Sequence, residues 1–230
     1  MNQFDFKKGE LLLIDKPKNW TSFDIVRKIR NTTNAKIGHA GTLDPLATGL
    51  LIVGTGVFTK QLTELQTYSK EYTGSFYIGA TTPSYDLETE PNETWDISAI
   101  SENDIYKAVE SFKGESMQMP PIFSAIKIGG KTSYDLARKG QTPDLQSRPI
   151  IIYDFEITKI ELPEVYFRVA CSKGTYIRSL AYDFGRALGV GAYMSSLCRT
   201  KIGEYKLEDA WQMEALITEI KRQQVEAAAI

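Results

Sequence analysis

The sequence predicts an α+β fold, a mixed and mostly antiparallel sheet flanked by helices, in a single domain spanning 1–230. Three observations carry this. Short apolar runs of strand length outnumber the helical ones, and several are joined by turns too short for the crossover helix that a parallel pair needs. Helical periodicity recurs between them without any internal repeat, and the dominance of strands with short turns favours this sheet over a doubly wound one.

Glu10–Asp15 reads as a buried strand ended by Lys16-Pro17. Thr21, with Asp24 three residues on, is a capping-box variant opening a helix whose apolar face is Phe23, Val26 and Ile29. Leu50–Val53 is a short strand, and Phe58, Leu62 and Leu65 give Val57–Tyr68 a helical spacing. Tyr72, Gly74, Phe76 and Ile78 alternate as a half-buried strand does. Ser101 and Asp104 cap a helix running through Phe112 and stopped by Gly114. A strand at Phe123–Ile128 leads through Gly129-Gly130 to a short helix ending at Gly140. Strands follow at Ile150–Ile160 and Val165–Cys171, then a helix Tyr176–Leu188 before Gly189, a last strand, and a helix Leu207–Lys221. The acidic stretch Thr82–Ser98, with Pro83 and Pro91, reads as a long surface loop.

With 42% hydrophobic and 24% charged residues, the 230-residue chain has the composition of a globular protein that buries its own core. It has no apolar run of membrane-spanning length. Met1–Glu10 lacks the apolar core of a secretory leader, so a cytoplasmic location is expected. Cys171 and Cys198 have neither disulfide nor zinc spacing and are expected to be reduced. The net charge of −2 conceals an uneven distribution. Nine acids face two lysines over Thr82–Ser116, while seven bases face two acids over Arg168–Lys206. Met1–Lys36 adds eight bases against four acids, so a polyanion could dock on the basic segments.

One histidine, His39, precludes a histidine-rich metal site, and the glycine clusters lack the phosphate-loop pattern. No metal or cofactor is expected. Two segments remain as candidates for chemistry. The first is Gly38-His39-Ala40-Gly41-Thr42-Leu43-Asp44-Pro45-Leu46-Ala47-Thr48-Gly49, a loop shaped by its glycines and proline. Local physics favours reading Asp44-Pro45 as a helix N-cap followed by proline at the first helical position. The strand-like run beginning near Gly49 opposes that. The second is Cys171–Leu180, where a strand turns into a helix. Arg178 falls in that helix's first turn, a poor place for a cation, so it is either a long surface arginine or the partner of a carboxylate elsewhere in the fold.

Together these segments resemble the TruB family of tRNA pseudouridine synthases. The resemblance runs from Gly9 to about Leu207 and includes Leu13-Ile14-Asp15-Lys16-Pro17, the Gly38–Gly49 loop, Lys70-Glu71-Tyr72 and Pro120–Lys127. It continues with Tyr134–Gly140, Cys171–Arg178 and Leu197-Cys198-Arg199-Thr200. It implies the pseudouridine-synthase fold and isomerisation of uridine 55 in the T loop of tRNA by base flipping. Asp44 corresponds to the essential aspartate and Arg178 to the arginine that pairs with it, keeping the carboxylate ionised. Tyr72 corresponds to the tyrosine that stacks on the target base and helps remove the C5 proton. Tyr176 and Leu197 correspond to residues lining the base pocket, and His39 to the histidine that enters the T loop. Lys16 and Pro17 correspond to a pair supporting the pocket.

Flipping is needed because the reacting uracil atoms are inaccessible inside a stacked loop. The implied partner is the T stem-loop of tRNA, with no membrane, no obligate protein partner and a monomeric enzyme. Against the family pattern, the chain is expected to lack the separate C-terminal RNA-binding (PUA-like) domain of many relatives and to grip the tRNA elbow less firmly. Pro83 stands where relatives often carry an acid, while Asp86 is retained. A second reading from another class is a tRNA-binding folding helper with secondary or lost catalysis. A third keeps the chemistry but directs it to a different uridine or by a guide RNA.

Overall fold

The computed structural model describes residues 3–228. They form two compact units, one built from the chain up to Tyr72 and from Leu197 onward, the other from Thr73–Ser196. The first stretch carries β1 (Leu11–Lys16), α1 (Ser22–Thr33), β2 (Ile37–Ala40), β3 (Thr48–Thr55) and the short α2 (Leu62–Leu65). The chain passes to the second unit within β4 (Lys70–Ile78). There it forms β5 (Ala80–Thr81), β6 (Glu93–Thr94), α3 (Glu102–Glu110) and β7 (Gly114–Gln118). Next come β8 (Lys127–Ile128), β9 (Lys131–Thr132), α4 (Ser133–Arg138), β10 (Arg148–Glu161), β11 (Glu164–Cys171) and α5 (Ile177–Ala187). It returns within β12 (Ala192–Ile202) and closes with β13 (Tyr205–Lys206), β14 (Trp211–Gln212) and α6 (Met213–Ala228). The expected mixed, mostly antiparallel sheet with flanking helices is what these elements build.

In the first unit β3 is the organising strand. One edge pairs antiparallel with the whole of β1, Ile14 opposite Leu51. The other edge is shared: β2 takes Ile52–Thr55, and β12 runs parallel beside Thr48 and Gly49. Every residue of β3 from Gly49 to Thr55 is buried, because both sheet faces are covered. On one face Ile25, Val26 and Ile29 of α1 and Leu216, Ile217 and Ile220 of α6 pack with Leu12, Ile14 and Val53. On the other, Leu62 and Leu65 of α2 close over Leu50 and Ile52.

The capping box of α1 is present, Thr21 N–H donating to Asp24 Oδ2 (2.9 Å) and Asp24 N–H to Thr21 Oγ1 (3.0 Å). Its inward stripe is Ser22, Ile25, Val26 and Ile29, the i, i+3, i+4, i+7 pattern, which leaves Phe23 58% exposed rather than on the apolar face.

The second unit orders its strands β4-β11-β10-β7, with β11 and β7 both antiparallel to β10. Its core is aromatic. Phe76, Phe155, Phe167 and Phe184 are all buried, with ring centroids as close as 4.2 Å. Ser101 and Asp104 form the expected capping box of α3, and Gly189 (φ +75°) follows α5 as the expected stop.

Three element expectations need correction. Residues 57–68 form a single 3-10 stretch and one α turn, not a continuous helix. Val57, Thr59, Thr63 and Thr67 are β-branched, and the Lys70 ammonium takes the Gln66 and Tyr68 carbonyls, ending the helix early. Residues 123–128 pair only at Lys127–Ile128, across the Gly129-Gly130 turn. The carbonyls of Ser124 and Ile126 instead receive N–H groups from Tyr134 and Ser133 at the start of α4. The expected helix from Leu207 begins with a 3-10 turn, and Trp211–Gln212 then pairs parallel to β1, so helix starts only at Met213. The acidic loop is exposed from Leu87 onward, but Thr82, Ser84 and Asp86 are buried and Glu93–Thr94 pairs with β5.

Candidate functional site

The Gly38–Gly49 loop lies in the first unit, leaving β2 where that strand separates from β3. Asp44 is half-buried at the head of a turn in which the Ala47 N–H donates to the Asp44 carbonyl (3.1 Å), with Pro45 in the second position. The N-cap reading of Asp44-Pro45 is therefore overturned: β3 follows at once, so no helix is capped. Three buried polar side chains fix the loop. Ser22 Oγ accepts the Leu43 N–H (2.9 Å) and donates to the Leu43 carbonyl (3.3 Å). Lys16, wholly buried at the end of β1, donates from Nζ to the carbonyls of Trp20 (2.6 Å), Pro17 (3.0 Å) and Pro45 (3.4 Å). Arg199, 1% exposed on β12, donates from Nε to Leu50 O (2.8 Å) and from Nη2 to Gly41 O (3.0 Å). It sits where β2 and β12 diverge along β3, and supplies the Leu50 carbonyl with a donor.

Two buried cations are thus tied to the backbone of the loop that carries Asp44, and the electrostatics follow. Burial pushes Lys16 down to about 8; the Asp44 carboxylate opposes that shift and the Arg199 guanidinium adds to it. His39, half-buried on β2, is held below the usual imidazole range by burial and then by Arg199. Both effects favour the neutral ring, and its Nδ1 is buried without a hydrogen-bond partner among the described residues. Tyr72 is buried (8% exposed) on β4, beside Glu71, which accepts from Thr200 Oγ1 (2.8 Å) and Lys201 Nζ (3.2 Å) of β12. Leu197 is also buried, its carbonyl reached by Thr48 Oγ1 (3.4 Å) at the exit of the loop. Pro17 is half-buried, and its carbonyl is one of the three that Lys16 holds.

Arg178 and Tyr176 belong to the second unit. The surface-arginine reading of Arg178 does not hold: it is 4% exposed, with Nε 3.7 Å from Asp86 Oδ2 and Nη1 donating to Ser84 O (3.3 Å). Asp86 in turn accepts from Ser84 Oγ (2.6 Å) and from the Glu88 N–H (3.0 Å). Tyr176 stands just ahead of α5, clamped by Gln118, which accepts its N–H (2.8 Å) and donates to its carbonyl (3.0 Å). The Arg148 guanidinium lies 5.1 Å from the Tyr176 ring centroid. Residue types in the sequence did not reveal that Asp86 anchors Arg178, nor that Arg199 and Gln118 act as braces. The unexplained cation at a helix start was the available signal for the first.

The family model described as "TruB family pseudouridylate synthase (N terminal domain)" matches residues 27–177, and that for the "tRNA pseudouridylate synthase B C-terminal domain" matches 178–229. The chain belongs to the TruB family. Among curated TruB relatives, a "tRNA pseudouridine synthase B" of Flavobacterium johnsoniae is 54% identical over 218 residues, 91% of this chain and 95% of that protein. One of Phocaeicola vulgatus, with the same name, is 46% identical over 229 residues, 96% of this chain and 97% of that protein. Among solved structures, a chain of an H/ACA RNP bound to a substrate RNA containing 2′-deoxyuridine superposes with a TM-score of 0.73 at 28% identity. That match covers 96% of this chain and 56% of the other, so the chain spans little more than half the length of that protein. The archaeal box H/ACA sRNP gives 0.72 at 28% identity, with 96% and 57% covered.

Proposed function

We propose that this TruB-family chain is a tRNA pseudouridine-55 synthase, converting one uridine of the T loop to pseudouridine with Asp44 as its essential carboxylate. The observation carrying this is the Gly38–Gly49 loop, whose single acid is positioned by buried Lys16, Ser22 and Arg199 rather than left on a mobile turn. A loop built to hold one carboxylate suits a reaction at one carbon. The N1–C1′ bond breaks, the uracil turns, C5 bonds to C1′, and the C5 proton is lost while N1 gains one. Asp44 acts at the ribose–base junction during these steps. Tyr72, buried on β4, presents a flat face for the base and serves the C5 deprotonation. Arg178, anchored by Asp86, supplies the cation. Tyr176, Leu197 and Pro17 line or support the base pocket, and neutral His39 enters the T loop. Neutrality suits a side chain that replaces a stacked base, since a charged ring would have to be desolvated.

We take the enzyme to act as a cytoplasmic monomer on tRNA alone, without cofactor. Among the described residues no helix is long and apolar enough to cross a membrane. The 54% identity to a tRNA-named relative outweighs the 28% identity to a chain of an H/ACA RNP bound to a substrate RNA, which favours tRNA as the substrate.

The test incubates purified protein with an unmodified tRNA transcript, without added metal or cofactor, and maps pseudouridine by chemical labelling and primer extension. One new pseudouridine at position 55, absent with Asp44→Ala, supports the proposal. Tight tRNA binding without product from the wild type refutes it in favour of the folding helper.

A further inference from the structure

On α5, Arg178, Tyr182 and Arg186 are spaced i, i+4, i+8, so they form one stripe, rising about 6 Å per step. Arg178 meets Asp86. One turn on, the Tyr182 ring stacks on Tyr85, with centroids 4.2 Å apart and planes 19° apart. Tyr85 holds this position against a backbone cost, with φ +63°, a region costly for a bulky residue. Its N–H reaches Thr82 O and its carbonyl receives the Met194 N–H, so the strain is fixed from both sides.

The two rings line a cavity of about 340 Å³ within the second unit, at the lower end of the roughly 300–1,000 Å³ typical of ligand sites. Trp95 lines it too, its ring seated on Gly191, where any Cβ would collide with it. Arg186 also lines the cavity, exposed and with no ion pair among the described residues; Glu93 lines the same cavity, and the half-buried Asp183 feels the Arg186 charge. Asn92 accepts from Thr81 Oγ1 (3.1 Å), leaving its amide donors for another group. Stacked rings, an exposed guanidinium and an amide donor match the chemistry of one nucleotide.

We propose that this cleft binds a second nucleotide of the RNA substrate, its base against the Tyr85–Tyr182 stack and its phosphate on Arg186. The proposal rests on the tRNA-modifying reading above and adds a subsite to it. None of its lining residues belongs to the set assigned to the chemistry.

The test measures KM and its salt dependence on an unmodified T stem-loop RNA for wild type, Tyr182→Ala, Tyr182→Phe and Arg186→Gln, with folding checked by circular dichroism. Losing one stacked base raises KM roughly 5- to 100-fold in Tyr182→Ala at unchanged kcat, and Tyr182→Phe restores it. Arg186→Gln weakens binding and lowers the slope of log K against log salt by about 0.7, as loss of one single-strand phosphate contact does. Arg186 is exposed, so this arm decides the matter even if Tyr182→Ala does not fold. Wild-type KM and slope in Arg186→Gln overturn the proposal, as does wild-type KM in folded Tyr182→Ala. Saturable binding of uridine 5′-monophosphate that Arg186→Gln abolishes, with RNA kinetics unchanged, assigns the cleft to a free nucleotide and overturns the RNA assignment. A wild type that forms no product sinks the proposed function and this subsite together.

Discussion

Arg178 meets Asp86 with Nε 3.7 Å from Oδ2, and both side chains are buried, at 5% and 3% exposure. A charge in that setting depends on its counter-charge. Asp86→Ala is expected to destabilise the protein by up to about 3–5 kcal/mol, and Asp86→Asn by less. Urea denaturation measures the loss. Single-turnover assays on the folded Asp86→Asn variant should show a lower rate constant at unchanged RNA affinity.

Lys16 makes a pH-dependent prediction. Its pKa is about 8 in the fold against 10.5 in the free side chain, so between those values the unfolded chain binds more protons. The cost of burying the ammonium, about 3 kcal/mol, is present below pH 8 and is relieved as pH rises towards 10.5. Lys16→Met removes that dependence. Unfolding free energies at pH 7 and pH 10 should show the wild type gaining on the variant, and parallel curves would contradict the assignment. The variant also loses the ties to Pro17, Trp20 and Pro45, so its turnover should fall even where its stability does not.

His39 is the chain's single histidine, so its imidazole resonances can be followed without assignment ambiguity. They should titrate below 6.5, because burial and Arg199 both disfavour the charged ring. The unfolded chain then binds more protons just below pH 6.5, and stability falls as pH drops through that value. His39→Asn should track the wild type above pH 7 and overtake it in acid. A ring that titrates at or above 6.5 contradicts the geometry.

Gly49 has φ +100°, and a Cβ there would run into the Arg199 backbone and come within 2.9 Å of Cys198 Sγ. Gly49→Ala should cost roughly 2 kcal/mol or more, from strain and overpacking together. Thermal unfolding would register this as a lowered Tm.

Local chemistry made much of this legible in the sequence. The Thr21/Asp24 and Ser101/Asp104 boxes, the strand at Tyr72–Ile78 and the stop at Gly189 each depend on neighbours within a turn or two, and each lies where the pattern put it, although the strand's alternation breaks at half-buried Gly74 and buried Ser75. What failed was decided by distant partners. Residues 57–68 have helical spacing, yet the Lys70 ammonium ends the run. Asp44-Pro45 has capping chemistry, yet β3 claims the following residues. Arg178 stays open in the sequence between a surface side chain and a carboxylate's partner, because nothing in its own helix indicates that Asp86, from a loop read as exposed, turns back to meet it.

The division of the chain also dictates an order of assembly. The first unit is discontinuous: β14 pairs with β1, and Leu216 and Ile220 of α6 cover the face that Ile25 and Ile29 share. On the ribosome, the first 72 residues emerge long before that cover exists, with the apolar face of β1 and β3 open to solvent. Thr73–Ser196, being continuous, can complete its aromatic core while the tail is still being made. The loop bearing Asp44 gains its Arg199 brace only afterwards, so a nascent chain acquires the scaffold for chemistry last.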